Sequence, residues 1–312
     1  MNKKVQYKKT GFDKIDAIDF GVNLKRILPP NYQDIIVERI YHGNVNRNFK
    51  VISGHGSFFC KVAPLWYEGS LFREAWALKK LKQIGCNVPR VIGSFDKNNN
   101  AFAGHEIILL EYIEGKLVSD KKNVKDYYSQ IIDLYNLVHS IKMKKYGWLD
   151  KNFVGENETW FDFLMQIENE KSINSLGNDW KKNLSFVRVE LENIDCINSI
   201  KRLLYGDFNY SNFIVNSENK IVALDFQNCF SGDPLYDVGM IFSKDNNFEN
   251  RLSDFKIFNK PYTENDKKLI FLYSLRHLLS MLVFYIASNN EERILFAKKR
   301  FIEIKNLYEK FC

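Results

Sequence analysis

The chain has 312 residues, of which 45% are hydrophobic and 27% charged, enough apolar material for a buried core, which excludes a disordered tail or linker. Its net charge of +7 comes from 34 Lys and 11 Arg in short clusters (Lys142 with Lys144 and Lys145, Lys181-Lys182, Lys298-Lys299-Arg300); no Arg-rich stripe or reader motif is present, so no nucleic-acid partner is expected. The five Cys (Cys60, Cys86, Cys196, Cys229 and Cys312) are scattered without C-x-x-C spacing, which argues against a disulfide framework or a zinc site and for a reducing, cytoplasmic setting.

Residues 1–30 are charged, lack the apolar run of a secretory signal and end in Pro29-Pro30, so they read as an extension. Three β-type runs follow, at 35–41, 49–52 and 58–62, separated by the turn residues Gly43-Asn44 and Gly54-His55-Gly56. The period then changes: Leu71, Ala75, Leu78 and Leu81 recur at three and four residues, which predicts a helix over 68–84, stopped by Gly85 with Pro89 beyond it. Two further strands, 90–95 and 106–112, flank a turn at Asn98-Asn99-Asn100. Beyond Glu114-Gly115 the pattern is helical, at 124–141, 159–170, 185–202, 264–288 and 291–311, broken by one hairpin pairing 213–215 with 221–224. Residues 269–287 are long and apolar enough to invite a membrane reading, but Arg276 and His277 fall in the middle, where charge is costly, so a buried core helix is expected and no membrane partner. A β-rich third, a Gly-containing hinge and a helical two-thirds with one hairpin predict an α+β bilobal fold. Residues 31–115 form a small five-stranded antiparallel N-lobe with one helix, and 116–312 a larger, mainly helical C-lobe with the hairpin.

The densest polar segment is Tyr205-Gly206-Asp207-Phe208-Asn209-Tyr210-Ser211-Asn212, followed after the hairpin by Asp225-Phe226. Asp207 and Asn212 are five residues apart and Asn212 and Asp225 thirteen, a spacing that a loop, a hairpin and a second loop can fold back on itself. Phosphoryl transfer needs such a set: one carboxylate for the hydroxyl proton and two oxygen ligands for Mg²⁺. The same residues also match part of a calcium loop, with Asp207, Asn209, Ser211 and Glu218 at its first, third, fifth and twelfth positions. That reading fails at Asn212, where the loop needs Gly, and in the β-branched exit segment. Upstream, Lys61 is the one basic residue in an apolar strand and Glu74 follows thirteen residues later on the predicted helix; a strand Lys paired with a helix Glu grips the α- and β-phosphates of a nucleotide in kinases.

These motifs resemble those of the aminoglycoside phosphotransferase and choline kinase family, which has a protein-kinase-like fold. Residues 205–212 are similar to its H-G-D-x-x-x-x-N loop, Ala223-Leu224-Asp225-Phe226 to its I-D-[FWY] segment, and Gly232-Asp233-Pro234-Leu235-Tyr236-Asp237-Val238-Gly239 to the G-D-P-x-x-D-[LV]-[AG] stretch that follows. The resemblance implies Asp207 as catalytic base, Asn212 and Asp225 as Mg²⁺ ligands, and Asp233 and Asp237 as scaffold. It also implies that Asn44, Asn46 and Asn48 belong to a phosphate-covering loop, and that Glu111 and Ile113 belong to the hinge that borders the base of ATP or GTP. The expected activity is Mg²⁺- and nucleoside-triphosphate-dependent phosphorylation of a small-molecule hydroxyl. Gly147-Trp148-Leu149-Asp150 resembles the hygromycin-type antibiotic kinases, making an aminoglycoside-like antibiotic the first expected acceptor and antibiotic resistance the expected role. Glu156, Glu158, Asp162, Glu264 and Asp266 are candidates for an acidic rim facing such a polycation. A metabolic kinase for choline, a sugar or an amino alcohol is the alternative; a choline site would need an aromatic cage. A kinase-like binding protein without turnover is the other, supported only by Tyr205 where the family has His. The retained Lys61, Glu74, Asp207, Asn212 and Asp225 argue against it, and Tyr205 reads as a packing brace.

Overall fold

The computed structural model describes residues 17–28, 32, 34–41, 45–98, 102, 104–169, 176–194, 200–245 and 262–312. Asn44, Gly43 and Cys196 lie outside the described residues. The chain forms two compact units, residues 1–130 with 209–228, and residues 131–208 with 229–312.

The first unit holds the five predicted strands, β1 (Ile35–Ile40), β2 (Arg47–Ser53), β3 (Gly56–Val62), β4 (Val91–Phe95) and β5 (Ile107–Glu111), in one antiparallel sheet of order β1-β2-β3-β5-β4. Alternation along a strand sends successive side chains to opposite faces. On β3, Phe58, Cys60 and Val62 therefore share a face, while Lys61 points to the other. The first face packs with Phe49, Val51, Ile107 and Leu109 against Phe20 and Leu24. Those two come from α1 (Ala17–Ile27), a helix inside the segment read as an extension; Phe20 and Leu24 are fully buried, and the Phe20 ring stacks on Phe49 at 4.4 Å. The predicted helix is α2 (Ser70–Gln83), which buries Leu71, Ala75, Leu78 and Leu81. It covers the face that carries Lys61, as the contact between Lys61 and Glu74 requires.

A second small sheet in this unit has the order β11-β10-β6, built from β6 (Lys116–Leu117), β10 (Phe213–Val215) and β11 (Ile221–Ala223). The predicted hairpin is the β10–β11 pair, with Phe213 opposite Ala223 and Val215 opposite Ile221. It joins the first unit because β6 pairs with β10 and because Asn87 bonds it from the α2–β4 connection: Ala223 N–H donates to the Asn87 carbonyl (3.0 Å) and Asn87 Nδ2 to the Ile221 carbonyl (2.6 Å). Gly115 precedes β6, where a Cβ would overlap the Val215 carbonyl, so only Gly lets the two backbones pass this closely.

The chain enters the second unit within α3 (Tyr128–Val138). This unit is not purely helical: β7 (Tyr146–Leu149), β8 (Gly155–Asn157), β9 (Arg202–Leu204) and β12 (Phe230–Gly232) form a sheet of order β8-β7-β12-β9. Three of the four have only three residues, too short to show a period. Around them stand α4 (Trp160–Met165), α5 (Asn178–Asn193), α6 (Pro234–Lys244), α7 (Glu264–Ala287) and α8 (Glu291–Phe311). The predicted 185–202 helix is displaced: α5 begins at Asn178, and 202–204 are strand, paired through Leu204 with Phe230. Among the described residues α7 is long and apolar enough to cross a membrane, but 61% of its apolar stretch is buried inside the fold. Arg276, the charge in its middle, donates from Nε to the Leu164 carbonyl, and α7 packs between α6 and α8.

Candidate active site

In the first unit three sequence-singled residues meet at Lys61. Its Nζ donates to both oxygens of Glu74, at 2.7 and 3.0 Å, and to Asp225 Oδ1 at 3.0 Å. The Lys61 and Glu74 side chains are buried, whereas Asp225 keeps 28% of its side chain exposed. Burial pushes the Lys61 ammonium down, but Asp225 and Glu74 outweigh it, so Lys61 is held firmly charged. Burial raises the Glu74 carboxyl, with Lys61 opposing and Asp225 adding to the rise. Glu74 also accepts from the Phe226 N–H (3.3 Å), which ties α2 to the segment bearing Asp225. Asp225 itself has φ +61°, a left-handed backbone that Asp adopts more readily than most non-Gly residues.

Asn212 lies in this unit too. It ends a 3-10 turn, Tyr210–Asn212, whose N-cap Asn209 accepts from the Ser211 N–H at 3.0 Å. The Leu224 N–H donates to the Asn212 carbonyl at 2.8 Å, so the hairpin brings Asn212 beside the residue that precedes Asp225. The same hairpin excludes a calcium loop, since strand and not helix follows Asn212. Among the described residues no group of three or more His, Cys, Asp or Glu is placed to hold a metal. One partly exposed carboxylate and one amide are too few for a resident zinc or calcium ion. They suit Mg²⁺ arriving on phosphates, which needs one or two protein oxygens and keeps water as its remaining ligands.

Asn46 Nδ2 donates to Gln227 Oε1 at 2.6 Å, and Tyr67 OH to Asn228 Oδ1 at 2.5 Å, so the segment after Asp225 is held by the β1–β2 connection and the approach to α2. Asn48 is buried on β2 opposite Lys61. Glu111 is engaged with Arg90: its Oε2 accepts the Arg90 N–H (3.0 Å) and its own N–H donates to the Arg90 carbonyl (2.9 Å). Ile113 is half-buried just beyond β5.

In the second unit Asp207 follows β9 through Tyr205 and Gly206. Gly206 has φ +76°, which no side chain adopts cheaply. Asp237 on α6 accepts from the Tyr205 N–H (2.8 Å) and the Gly206 N–H (3.1 Å), and His139 Nε2 lies 2.9 Å from it. Asp233 caps α6 by accepting from the Leu235 N–H at 3.0 Å, and it accepts Tyr273 OH at 3.0 Å. Both acids are buried and bonded to backbone, which is the scaffold geometry. Tyr205 is fully buried with its ring edge-on to Tyr135 at 5.7 Å, as a packing brace would be.

Lys244 was not singled out from sequence: its Nζ is 3.7 Å from Asp207 Oδ1 and donates to the Phe208 carbonyl at 2.6 Å. The signal was its place seven residues after Asp237, two turns along one face of α6. Gln227, Asn228 and Tyr67 were missed because nothing local marks them. Four of the five candidate rim acids have local partners. Glu158 pairs with Lys145 at 2.5 Å and Glu264 with Lys267 at 2.9 Å, Asp162 accepts from Thr159 Oγ1 at the start of α4, and Asp266 completes a capping box with Thr263 on α7. Glu156 is exposed on β8.

Residues 36–256 match the phosphotransferase enzyme family. No curated protein matches the chain. A thermostable mutant of the aminoglycoside phosphotransferase APH(4)-Ia, solved with AMP-PNP and hygromycin B, aligns with TM-score 0.72 and 16% identity over 90% of this chain and 97% of that one. A Haemophilus somnus protein assigned as a fructosamine-3-kinase aligns with TM-score 0.63 and 21% identity over 92% and 96%. The GDP complex of aminoglycoside 2′-phosphotransferase-IIIa aligns with TM-score 0.65 and 14% identity over 94% and 99%. At these identities the likeness carries the fold, which is the protein-kinase-like one. The chain belongs to the phosphotransferase enzyme family and is a small-molecule phosphotransferase with a hydroxyl as acceptor.

Proposed function

We propose that the enzyme moves the γ-phosphoryl group of ATP or GTP to a hydroxyl of an aminoglycoside-like amino sugar, in a Mg²⁺-dependent reaction. The observation that carries the nucleotide role is Lys61, buried and fixed by Glu74 at 2.7 Å, with Asp225 on the same ammonium at 3.0 Å. A lysine so held is pre-positioned for the α- and β-phosphates. Asn48 pairs with Lys61 across β2 and β3, Asn44 and Asn46 precede β2 and would cover the phosphates, and Glu111 and Ile113 would border the base. Asn212 and Asp225 would hold Mg²⁺, which supplies charge neutralisation on the phosphate oxygens. Asp207 orients the acceptor hydroxyl and takes its proton as the oxygen bonds to phosphorus. The bond from the γ-phosphorus to the β-γ bridging oxygen breaks, and the nucleoside diphosphate leaves. Most of the rate comes from positioning and charge stabilisation.

The neighbour solved with hygromycin B supports an aminoglycoside acceptor. A sugar-amine acceptor is the second reading, favoured by the 21% identity to the fructosamine-3-kinase-type protein. The deciding experiment measures nucleoside diphosphate release with MgATP and MgGTP against hygromycin B, other aminoglycosides, fructosamines and choline. Asp207→Ala is the control. Turnover on aminoglycosides, reduced by at least about 10² in Asp207→Ala, is expected, with nucleotide affinity nearly unchanged. Turnover confined to fructosamines moves the acceptor to the second reading. Nucleotide binding with no turnover on any acceptor would leave a binding protein.

A further inference from the structure

Resting on the assignment of Asp207 as base, we infer that Lys244 is a positioning residue of the reaction, whose ammonium fixes the Asp207 carboxylate and the adjoining Phe208 carbonyl and keeps Asp207 in its charged, proton-accepting form. The contact is built from one face of one helix. Asp237 near the start of α6 holds the Tyr205 and Gly206 N–H groups, and Lys244 at its end reaches the next two residues: Nζ lies 2.6 Å from the Phe208 carbonyl oxygen and 3.7 Å from Asp207 Oδ1. Four consecutive loop residues thus take their positions from α6. A carboxylate serving as base must stay ionised until the hydroxyl proton arrives, and a cation within about 4–6 Å favours that form.

Among the described residues, the groups that bear on Lys244 and Asp207 come from α7 and α8. Arg293 on α8 adds positive charge, and His277 and Tyr285 face the cluster from α7. Burial, then Lys244 and Arg276, push His277 well below its ordinary range, so it stays neutral. Burial lowers the Lys244 ammonium and Arg293 reinforces this, while Asp207 opposes it. Both side chains remain partly open, 24% for Lys244 and 31% for Asp207, as a base that meets an outside hydroxyl must be.

The test follows the Asp207 carboxyl by NMR in the full chain carrying ¹³C-labelled Asp, with the signal assigned by its loss in Asp207→Asn. The variants are Lys244→Met, Lys244→Gln, which still donates to the Phe208 carbonyl, and Lys244→Arg. Removing the positive charge favours the protonated acid, so the Asp207 midpoint should move to higher pH by about one unit in Lys244→Met and Lys244→Gln. Lys244→Arg should restore the wild-type midpoint. A merely structural Lys244 would lower the melting temperature and leave the midpoint in place. An unmoved midpoint in either folded neutral variant therefore overturns the inference. The readout needs no acceptor, so it separates from the base assignment: full turnover in Asp207→Ala with a shifted midpoint in Lys244→Met would remove the catalytic role and leave only the contact.

Discussion

Tyr205 is where the chain departs from its family's catalytic loop, and its surroundings give the departure a physical meaning. The family's His position is filled by a buried ring edge-on to Tyr135, while the loop backbone is held through Asp237. His139, just past the end of α3, sits on that same acid. The side chain at 205 packs in the core, and the N–H groups of Tyr205 and Gly206 tie the loop to Asp237. Tyr205→His should leave kcat within about tenfold of wild type, or about 1.36 kcal/mol of barrier. The smaller ring leaves a cavity, so the melting temperature should fall. Steady-state rates at saturating nucleotide and melting curves on one preparation check this; a larger rate loss at unchanged stability contradicts the brace.

At the scale of elements, α6 carries most of the organisation of the second unit. Its start is capped by Asp233, with Pro234 following at the first helical position, where its missing N–H costs nothing. Burial pushes the Asp233 carboxyl up from 3.8 to about 6, against the opposing Leu235 N–H and Tyr273 hydroxyl bonds. Below pH 3.8 the acid is protonated in both folded and unfolded chains, and nothing is lost. Between 3.8 and about 6 the unfolded chain ionises first and is favoured. Above that the loss is complete, at about 3 kcal/mol. Asp233→Asn keeps a good N-cap and cannot ionise. Its melting temperature should therefore gain on wild type as pH rises from 4 to 6, and stay ahead at pH 7. A constant difference between the two profiles across that range would show that Asp233 titrates normally.

For the molecule as a whole, the nucleotide assignment predicts a linkage between ligand and stability. MgATP should raise the melting temperature of the full chain, by an amount equivalent to about 2.7 kcal/mol at one hundred times the dissociation constant. EDTA should remove the metal-dependent part. In Asp225→Asn the activity should require higher Mg²⁺, because one of two protein oxygens loses its charge. A titration that leaves the metal requirement unchanged would assign the ligand elsewhere.

How much of this was legible in the sequence follows from the range of each interaction. The β-strands of the first unit, α2 and the long helices α7 and α8 declare themselves through local period, and Lys61, Glu74, Asn212 and Asp225 through spacing on those elements. Local pattern suffices there because alternation on β3 aims Lys61 at the face that α2 covers, and because a hairpin must bring Asn212 back to Leu224. Other features depend on partners far along the chain. The docking of α1 rests on Phe20 against Phe49 and Phe102; Phe20, Leu24 and Ile27 recur at helical spacing, but that period does not say which sheet face the helix covers. The short strands β7, β9 and β12 exist only because they pair with one another, and the hairpin joins the first unit through distant partners, among them Asn87, β6 and Gln130. Lys244 reaches Asp207 only once Asp237 has seated α6 on the loop. The sequence by itself determined the family, the strand-and-helix order and the spacing of Lys61, Glu74, Asp207, Asn212 and Asp225, since motif and period are local. Only the tertiary structure decided which other side chains surround them, because that depends on contacts between segments 32 to 181 residues apart, such as Asn46 with Gln227, which no local pattern encodes.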